Sequence, residues 1–444
     1  MFALLPKLIV FVGSLCLLSG IFLPTMTVAS YVIVRPLIQP FAWLQYKLFG
    51  LPIALPFTII VIALGLIFPV IKGRWSLIVE RSSLFVLFIA IAFCSLGVSD
   101  YVNESIAALA KLLTVWFLYN IAYNSVKSKK DALRIIDALI IASVIPLLLG
   151  FYQAITGNYD LIYSAEVKRI SSVFATGNDY GIFLTFITAA SAVRLGTATT
   201  RKTQILMLVI LLMILVSQVL SLNRGTWLAL IIGFIVAAIK YRKFINFKLM
   251  FAGVMVFILI FSGKIIERFQ ELQDPGAVHY SRVSTLDARL AYWKALVPVI
   301  MERPILGHGI GSSALVAQER FGELHKPHND YLHVFLEIGV FGVLAYIAFL
   351  GRVFFYFFMR KVTKNLWVWN FAMLMLSVYF IVISGAQNIV QSIMNFPIFM
   401  IFLAVVFKLN RISKVDDDTA AVKKGAGFEP GPGGILRARV TGKV

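Results

Sequence analysis

Long, continuous apolar runs dominate this sequence, and they restrict its fold more than any other feature. Each run has about the ~20 residues that an α-helix needs to cross a membrane. Of the 444 residues, 60% are hydrophobic and only 14% are charged, which is too apolar for a soluble protein of this length. The sequence therefore predicts an all-α polytopic membrane protein with about 12 transmembrane helices. The predicted spans cover approximately residues 8–28, 51–71, 82–98, 104–123, 132–155, 179–195, 204–221, 225–240, 247–263, 332–357, 367–384 and 391–408.

Basic residues fall on alternate connections between these runs. One set of connections is rich in lysine and arginine, as at Lys127, Lys129 and Lys130, whereas the connections around Asp100 and Gln387 have neither. Because basic residues mark the cytoplasmic side of a membrane protein, the pattern predicts that both termini are cytoplasmic, an N-in/C-in topology. The net charge of +20 then belongs to cytoplasmic loops, and we expect no nucleic-acid partner.

The same pattern divides the chain into four predicted regions. Spans 1–9 occupy residues 1–263, a large helical periplasmic loop residues 264–331, spans 10–12 residues 332–408, and a cytoplasmic tail residues 409–444. The tail is rich in Gly and Pro and is expected to be disordered. The N-terminal run has no clear small-residue cleavage site, so we interpret it as a retained span rather than a signal peptide. The two cysteines lie in apolar runs and give neither a disulfide framework nor zinc spacing.

The predicted periplasmic loop contains two recognisable stretches. The first, STLDARLAYWKALVPVIMERP, has apolar residues every three or four positions, which predicts an amphipathic helix along the membrane surface. The second, ILGHGIGS, predicts a tight turn whose backbone N–H groups could bind an anion, although such a turn needs no anion. The apolar stripe predicted for the helix consists of Leu286, Leu290, Trp293, Val297 and Ile300.

His328 lies in the stretch HKPHNDYLHVFLEIGVFG, at the outer start of the tenth span. Asn329 or Asp330 can cap the helix that follows. A helix N-terminus disfavours positive charge, so His328 is expected to stay neutral and able to accept a proton, as a general base must. The alternative is a capping or interfacial histidine without a chemical role. His325 and His333 are weaker candidates, and their spacing matches no zinc pattern, so neither a metal nor another cofactor is predicted.

Four basic residues are predicted to lie on the outer face: Arg224, Arg289, Arg169 and Lys168. The positive-inside rule places basic residues on the cytoplasmic side, so it does not account for these four. Arg224 lies between two apolar spans, where a charge is unfavourable unless it is paired or lines a wet cavity. Alternatively, Arg224 is an anchor whose side chain extends to the membrane surface and has no ligand. Four outer-face cations with few acidic neighbours favour an anionic ligand, and the planar guanidinium fork suits the phosphate of a lipid.

These residues occur in four segments that together resemble the bacterial O-antigen ligase and O-antigen polymerase superfamily. The segments are KRISSVFATGNDYG, SLNRGTWLAL, DARLAYWKALVPVIMERPILGHGIGS and HNDYLHVFLEIGVFG, and they extend over about residues 160–350. The resemblance implies a GT-C-like fold in the bacterial inner membrane with its active site facing the periplasm. It also implies a metal-independent, inverting glycosyltransferase. An O-antigen ligase moves a polysaccharide from its donor, undecaprenyl diphosphate, onto a sugar hydroxyl of its acceptor, lipid A–core. The resemblance also implies that the protein contacts membrane lipid.

The resemblance implies a role for each matching residue. Arg224 and Arg289 would bind the donor diphosphate and stabilise it as it leaves. Arg169 and Lys168 would be further diphosphate contacts. His328 would deprotonate or orient the attacking hydroxyl. Diphosphate is already a good leaving group, so protein cations can supply the charge stabilisation that it needs.

Other functions remain open from sequence. An O-antigen polymerase shares the same motifs, but it tends to have two sizeable outer loops, and the connection at residues 156–178 is short. A lipid-linked oligosaccharide transporter should place ionisable groups near the middle of the membrane and often has inverted repeats. A protein-glycosylating oligosaccharyltransferase of the same superfamily is usually longer. The ligase is therefore the favoured hypothesis.

Overall fold

The described part of the chain is helical apart from two short strand pairs. A computed structural model describes residues 5–43, 46–48, 51–72, 76–158, 169–245, 262–263, 266, 285–322, 326–361, 364–425, 429–430 and 436–437. Lys168 and His325 lie outside these residues, as does almost all of the predicted span 247–263.

The described residues form fourteen α-helices, named here in chain order. They are α1 Leu5–Leu18, α2 Pro24–Trp43, α3 Leu55–Lys72, α4 Ser76–Leu96, α5 Val102–Ser125, α6 Lys129–Thr156, α7 Gly177–Gly196, α8 Arg201–Leu220, α9 Arg224–Lys240, α10 Thr285–Glu302, α11 Ser313–Phe321, α12 Asp330–Met359, α13 Trp367–Ser384 and α14 Asn395–Gly425. Short 3₁₀ turns lie at Ser19–Ile21 and Arg242–Phe244. Antiparallel pairs join β1 Lys47–Leu48 to β2 Leu51–Pro52 and β3 Glu429–Pro430 to β4 Leu436–Arg437.

Length and composition make six of the described helices candidates to cross a membrane. Shorter apolar helices occur at Leu5–Ile21, Leu55–Ile71 and Ser82–Leu96. Many large apolar side chains remain exposed on the outside of the bundle, as lipid-facing residues do. The protein is therefore a multi-pass helical membrane protein, while the count of twelve spans and the N-in/C-in topology stay predictions. The six candidate spans are Val102–Ser125, Lys129–Thr156, Arg201–Leu220, Asp330–Met359, Trp367–Ser384 and Asn395–Lys414.

Connections that the charge pattern assigns to one side contact each other at one end of the bundle. Arg303 Nη1, after α10, donates to Val98 O at 2.9 Å and so joins the predicted periplasmic loop to the short connection around Asp100. At the opposite end, two connections predicted to be cytoplasmic meet where Arg360 Nη2 donates to Asn410 O at 3.1 Å. The helices therefore bring the candidate site residues to a single end of the protein.

The N-terminal region differs from the single span predicted at residues 8–28. It folds as two helices, because α1 ends at Leu18 and α2 begins at Pro24. Proline suits the first turn of a helix, where its missing N–H would have no partner. Gly20 in the 3₁₀ turn lies tightly against Thr27 of α2, so a side chain at position 20 would collide with Thr27 Oγ1. This contact folds α1 back against α2.

The amphipathic helix is confirmed as α10, and it packs on the protein with a face that only partly overlaps the stripe predicted to face the membrane. Leu296, Val299 and Ile300 pack into a cluster with neighbouring helices, whereas Leu290 and Val297 are exposed. Tertiary contacts with α11 and α12 select the buried face, and spacing alone could not identify these partners. The exposed apolar residues of α10 remain uncovered by described protein.

The C-terminal helix is longer than the predicted span. Helix α14 continues from Asn395 to Gly425, whereas the prediction ends the helix at residue 408 and expects disorder beyond it. Ala and Lys residues in this extension favour helix intrinsically. Towards the bundle interior, α13 is the most completely enclosed helix, and it packs against α7, α9, α12 and α14.

Candidate active site

The candidate site forms around a short connection, residues 385–394, which links α13 to α14. The sequence prediction placed this connection on the outer side but gave it no role. In the structure it contacts α10, the segment before α12, and α12 itself. This connection is therefore the framework on which the predicted site residues can be located.

Arg289 and the start of α9, which carries Arg224, both lie close to Ala386. Arg289 Nη1, on α10, donates to Ala386 O at 3.1 Å. Arg224 is the first residue of α9, and a Cβ built on the next residue, Gly225, would lie 3.8 Å from Ala386 Cβ. Burial and, after it, the nearby charge of Arg224 lower the pKa of Arg289. The two arginines are thus close enough to repel each other, which an anion between them would relieve.

Arg169 lies beside the turn that leads to Arg224. The backbone N–H of Ile170 donates to Leu220 O at 3.2 Å, which fastens this segment to the end of α8. A Cβ built on Gly177 would lie 3.3 Å from Arg169 Cδ and 2.9 Å from Ser221 O. The structure therefore brings Arg169 towards the pair formed by Arg224 and Arg289.

His328 is held on both sides by backbone anchors. The indole Nε1 of Trp293 donates to Pro327 O at 2.6 Å, and the N–H of Asn329 donates to Asn388 Oδ1 at 3.2 Å. Asn329 is the N-cap of α12, so the expectation that His328 precedes a capped helix is confirmed. Trp293 lies one helical turn after Arg289, so the same face of α10 contacts both ends of the site.

Backbone strain is concentrated in these three segments. Among the described residues, the non-glycine residues with positive φ are Ser172 at 56°, Leu222 at 50° and His328 at 49°. Each is a predicted site residue or lies within three residues of Arg169 or Arg224. Such conformations cost of order 1–3 kcal/mol and persist where surrounding contacts impose them, often at functional sites.

Asp330 is a positioning residue that sequence reasoning assigned only as a possible helix cap. It is fully buried, and its Oδ1 accepts the N–H groups of Ile389 at 2.8 Å and Val390 at 3.1 Å. Tyr346 Oη donates to its Oδ2 at 3.2 Å. Asp330 therefore holds connection 385–394 close to His328. In the sequence, the feature that pointed to Asp330 was an acidic residue directly after a capping Asn.

Backbone N–H groups at the glycine-rich turn bind a carboxylate of the protein itself, that of Glu337, rather than an external anion. Gly311 N and Ser313 N donate to the Glu337 carboxylate at 2.8 and 3.1 Å. His333 Nε2 lies 2.8 Å from the same carboxylate, and Gln391 also donates to it. The possible external anion site at this turn is thus filled by Glu337, and His333 is a structural partner, in line with its having no assigned catalytic role.

A break in α12 explains why the turn packs there. Gly339 has φ 77° inside the helix, and the freed carbonyl groups of Leu336 and Glu337 accept the N–H groups of His308 at 2.8 Å and Gly309 at 2.9 Å. A Cβ at Gly339 would lie 2.1 Å from Ile305 O. The turn therefore substitutes for helical hydrogen bonds that the break removes.

No group of three or more His, Cys, Asp or Glu side chains in the described part of the chain is arranged to hold a metal ion. The site instead presents guanidinium groups, a histidine and backbone carbonyl groups. This composition suits binding of a phosphate ester and transfer of a proton.

The chain is similar to a known protein family and to two curated proteins. Residues 206–347 match a family model described as "O-Antigen ligase", and this segment contains Arg224, Arg289 and His328. A relative from Rickettsia conorii, described as "Putative polysaccharide ligase", is 26% identical over 280 residues, 59% of this chain and 64% of the relative. An uncharacterized protein from Haemophilus influenzae is 28% identical over 180 residues, 36% of this chain and 44% of that protein. The chain thus spans less than two thirds of the length of either relative.

Proposed function

We propose, on the premise that this chain is a relative of the O-antigen ligases, that it transfers O-antigen polysaccharide from undecaprenyl diphosphate to a sugar hydroxyl of lipid A–core. The comparisons confirm the resemblance to that superfamily, and this resemblance supports a glycan-transferring function. One observation carries the finer proposal. Arg224, Arg289 and His328 are all positioned around connection 385–394.

The arginines are proposed to bind the donor diphosphate. Two neighbouring guanidinium groups present planar forks that can each take two phosphate oxygens. Charge on the diphosphate increases as its bond to the sugar breaks, so fixed cations stabilise the transition state more than the bound substrate. Arg169 and Lys168 would add further positive charge from the segment before α7.

His328 is proposed as the general base. The acceptor hydroxyl oxygen attacks the anomeric carbon, and the bond from that carbon to the diphosphate oxygen breaks, with its electron pair going to the diphosphate. The hydroxyl proton passes to His328. A single displacement of this kind inverts the anomeric centre, and the charge stabilisation comes from the arginines without a metal-dependent step.

The proposal places the site in the inner membrane on the periplasmic face. The segregation of predicted outer connections to one end of the bundle supports this placement. A donor anchored by its lipid would then reach the arginines laterally, past the exposed apolar residues of α10.

One reconstitution tests the proposal. The full chain in liposomes receives undecaprenyl-diphosphate-linked glycan and lipid A–core, with and without EDTA. Glycan attached to lipid A–core under both conditions is the expected result. Longer lipid-linked chains alone would indicate an O-antigen polymerase. Glycan that crosses the membrane without any covalent product would indicate a transporter and refute both transferases.

A further inference from the structure

A second cation is buried at the far end of connection 385–394. Arg35, on α2, is only 4% exposed, and its Nε donates to Ile393 O at 3.4 Å. Tyr31 Oη, one helical turn earlier, donates to the same carbonyl at 2.8 Å. Neither contact neutralises the guanidinium, because a carbonyl group carries no net charge.

The two terminal nitrogens of Arg35 have no assigned role in the fold. Nη1 and Nη2 are both buried, and neither has a hydrogen-bond partner among the residues that the structure describes. Arginine stays protonated in proteins, so these donors carry positive charge away from bulk water. A buried charge of this kind is strongly unfavourable unless an oxyanion binds it.

Further positive charge surrounds Arg35. Lys111 of α5 interacts electrostatically with Arg35, Lys326 and Glu337. Glu337 is already engaged by the glycine-rich turn and His333, so it does not serve as a dedicated partner for Arg35. Lys326 is exposed and lies two residues before His328, so the cluster lies near the candidate active site.

Connection 385–394 runs from one cationic cluster to the other. Ala386 contacts Arg289 near its start, Val390 contacts Asp330 in its middle, and Ile393 contacts Arg35 near its end. The arginine pair and Arg35 are therefore separate positions joined by one rigidly held segment.

We propose that Arg35, together with Lys111, forms a second phosphate-binding site, which takes the phosphate group of a membrane lipid. The two unpartnered Nη donors fit two oxygens of one phosphate, and Lys111 adds a second positive charge. The source is either a phosphorylated glycolipid acceptor or an ordinary phospholipid headgroup. This site goes beyond the proposed transferase and does not require it.

Lipid binding by the purified full chain tests the site. Titrations in neutral detergent micelles would follow the melting temperature with lipid A carrying two phosphates, with phosphatidylglycerol and with inorganic phosphate. All variants are made on an Arg289→Met background, so that the arginine pair does not mask the effect. Arg35→Met is expected to weaken binding of the phosphorylated lipid by roughly tenfold or more, the loss typical of a charge-assisted hydrogen bond.

Tyr31→Phe is the matched control. It removes the neighbouring hydrogen bond to Ile393 but keeps the guanidinium, so lipid affinity should not change. Arg35→Lys keeps a charge without the fork and should weaken binding, which provides the test if Arg35→Met does not fold. Preference for lipid A over phosphatidylglycerol would identify an acceptor site, and the reverse preference a phospholipid site; either supports the proposal.

Unchanged lipid affinity in both Arg35 variants would overturn the proposal, as would an equal loss in Tyr31→Phe. Binding that responds to Arg35 would stand even if reconstitution detects no glycan transfer. Conversely, transfer that depends on Arg224 and Arg289 would stand if Arg35 proves irrelevant to lipid binding.

Discussion

The indole of Trp293 donates a 2.6 Å hydrogen bond to the carbonyl of Pro327, the residue immediately before His328. Trp293 shares a face of α10 with Arg289, which contacts Ala386. One helix thus sets the distance between the proposed base and the proposed diphosphate cations. Proximity of this kind contributes strongly to catalysis, because small displacements of reacting groups lower the rate steeply.

Trp293→Phe should therefore lower kcat by about fivefold while leaving the KM for donor nearly unchanged, since it removes one hydrogen bond worth ~1 kcal/mol. Initial rates in liposomes measure both constants. Trp367→Phe, at the opposite end of the bundle, should have wild-type rates. Equal effects from both substitutions would mean that Trp293 acts only through general stability.

His328→Gly should separate strain from chemistry. Glycine adopts positive φ readily, so the variant should melt at or above the wild-type temperature. Transfer should fall by about 10²-fold or more, as expected when a general base is lost. Leu222→Gly relieves the same kind of strain without removing a base and should retain most activity. Wild-type turnover in His328→Gly would exclude the proposed role.

Arg224→Met should stabilise the protein in the absence of donor. Burial and the nearby Arg224 lower the pKa of Arg289, so the two guanidinium groups repel each other in the unliganded site. Removing the neighbouring charge relieves that repulsion, so the melting temperature should rise by a few degrees, roughly the gain from ~1 kcal/mol. The same variant should lose transfer activity. Arg134→Met alters an exposed arginine paired with Asp131 and should change neither property.

Asp330→Ala should loosen connection 385–394. The substitution leaves the buried N–H groups of Ile389 and Val390 without their acceptor, at a cost of about 1–3 kcal/mol each. The free energy of unfolding should fall and transfer should drop with it. Asp137→Ala breaks the partly exposed pair with Arg194 and should cost less than about 1 kcal/mol. Denaturation in detergent compares the free energies of unfolding of the two variants. Similar losses in both would contradict the role of Asp330 in holding connection 385–394.

Gly339→Ala should prevent correct folding of the outer loop. A Cβ there would lie 2.1 Å from Ile305 O, and the backbone φ of 77° disfavours alanine. Gly351, further along the same helix, has no atom within 4 Å of its built Cβ. Gly351→Ala should therefore be neutral or stabilising by up to ~1 kcal/mol. Yield and melting temperature of the two variants provide the comparison.

Sequence reasoning identified a helical membrane protein because few other structures can accommodate long, continuous apolar runs. It also proposed Arg224, Arg289 and His328 as site residues, from their position on the predicted outer face and from the family resemblance. It could not find the carbonyl of Ala386, because a backbone group has no sequence signature and connection 385–394 carries no charge. The face of α10 that packs on the protein was not predicted, since its partners are distant in sequence. Lys168 lies outside the described residues.

Because connection 385–394 follows all the other proposed site residues in the chain, the order of biosynthesis has a consequence for the site. The ribosome completes Arg169, Arg224, Arg289 and His328 well before the segment that arranges them. Likewise, the N–H groups of the glycine-rich turn can donate to the carbonyl groups of Leu336 and Glu337 only after α12 has been synthesised. A nascent or truncated chain that ends before residue 385 therefore contains every proposed catalytic side chain but lacks the segment that arranges them, and it should not carry out the proposed transfer.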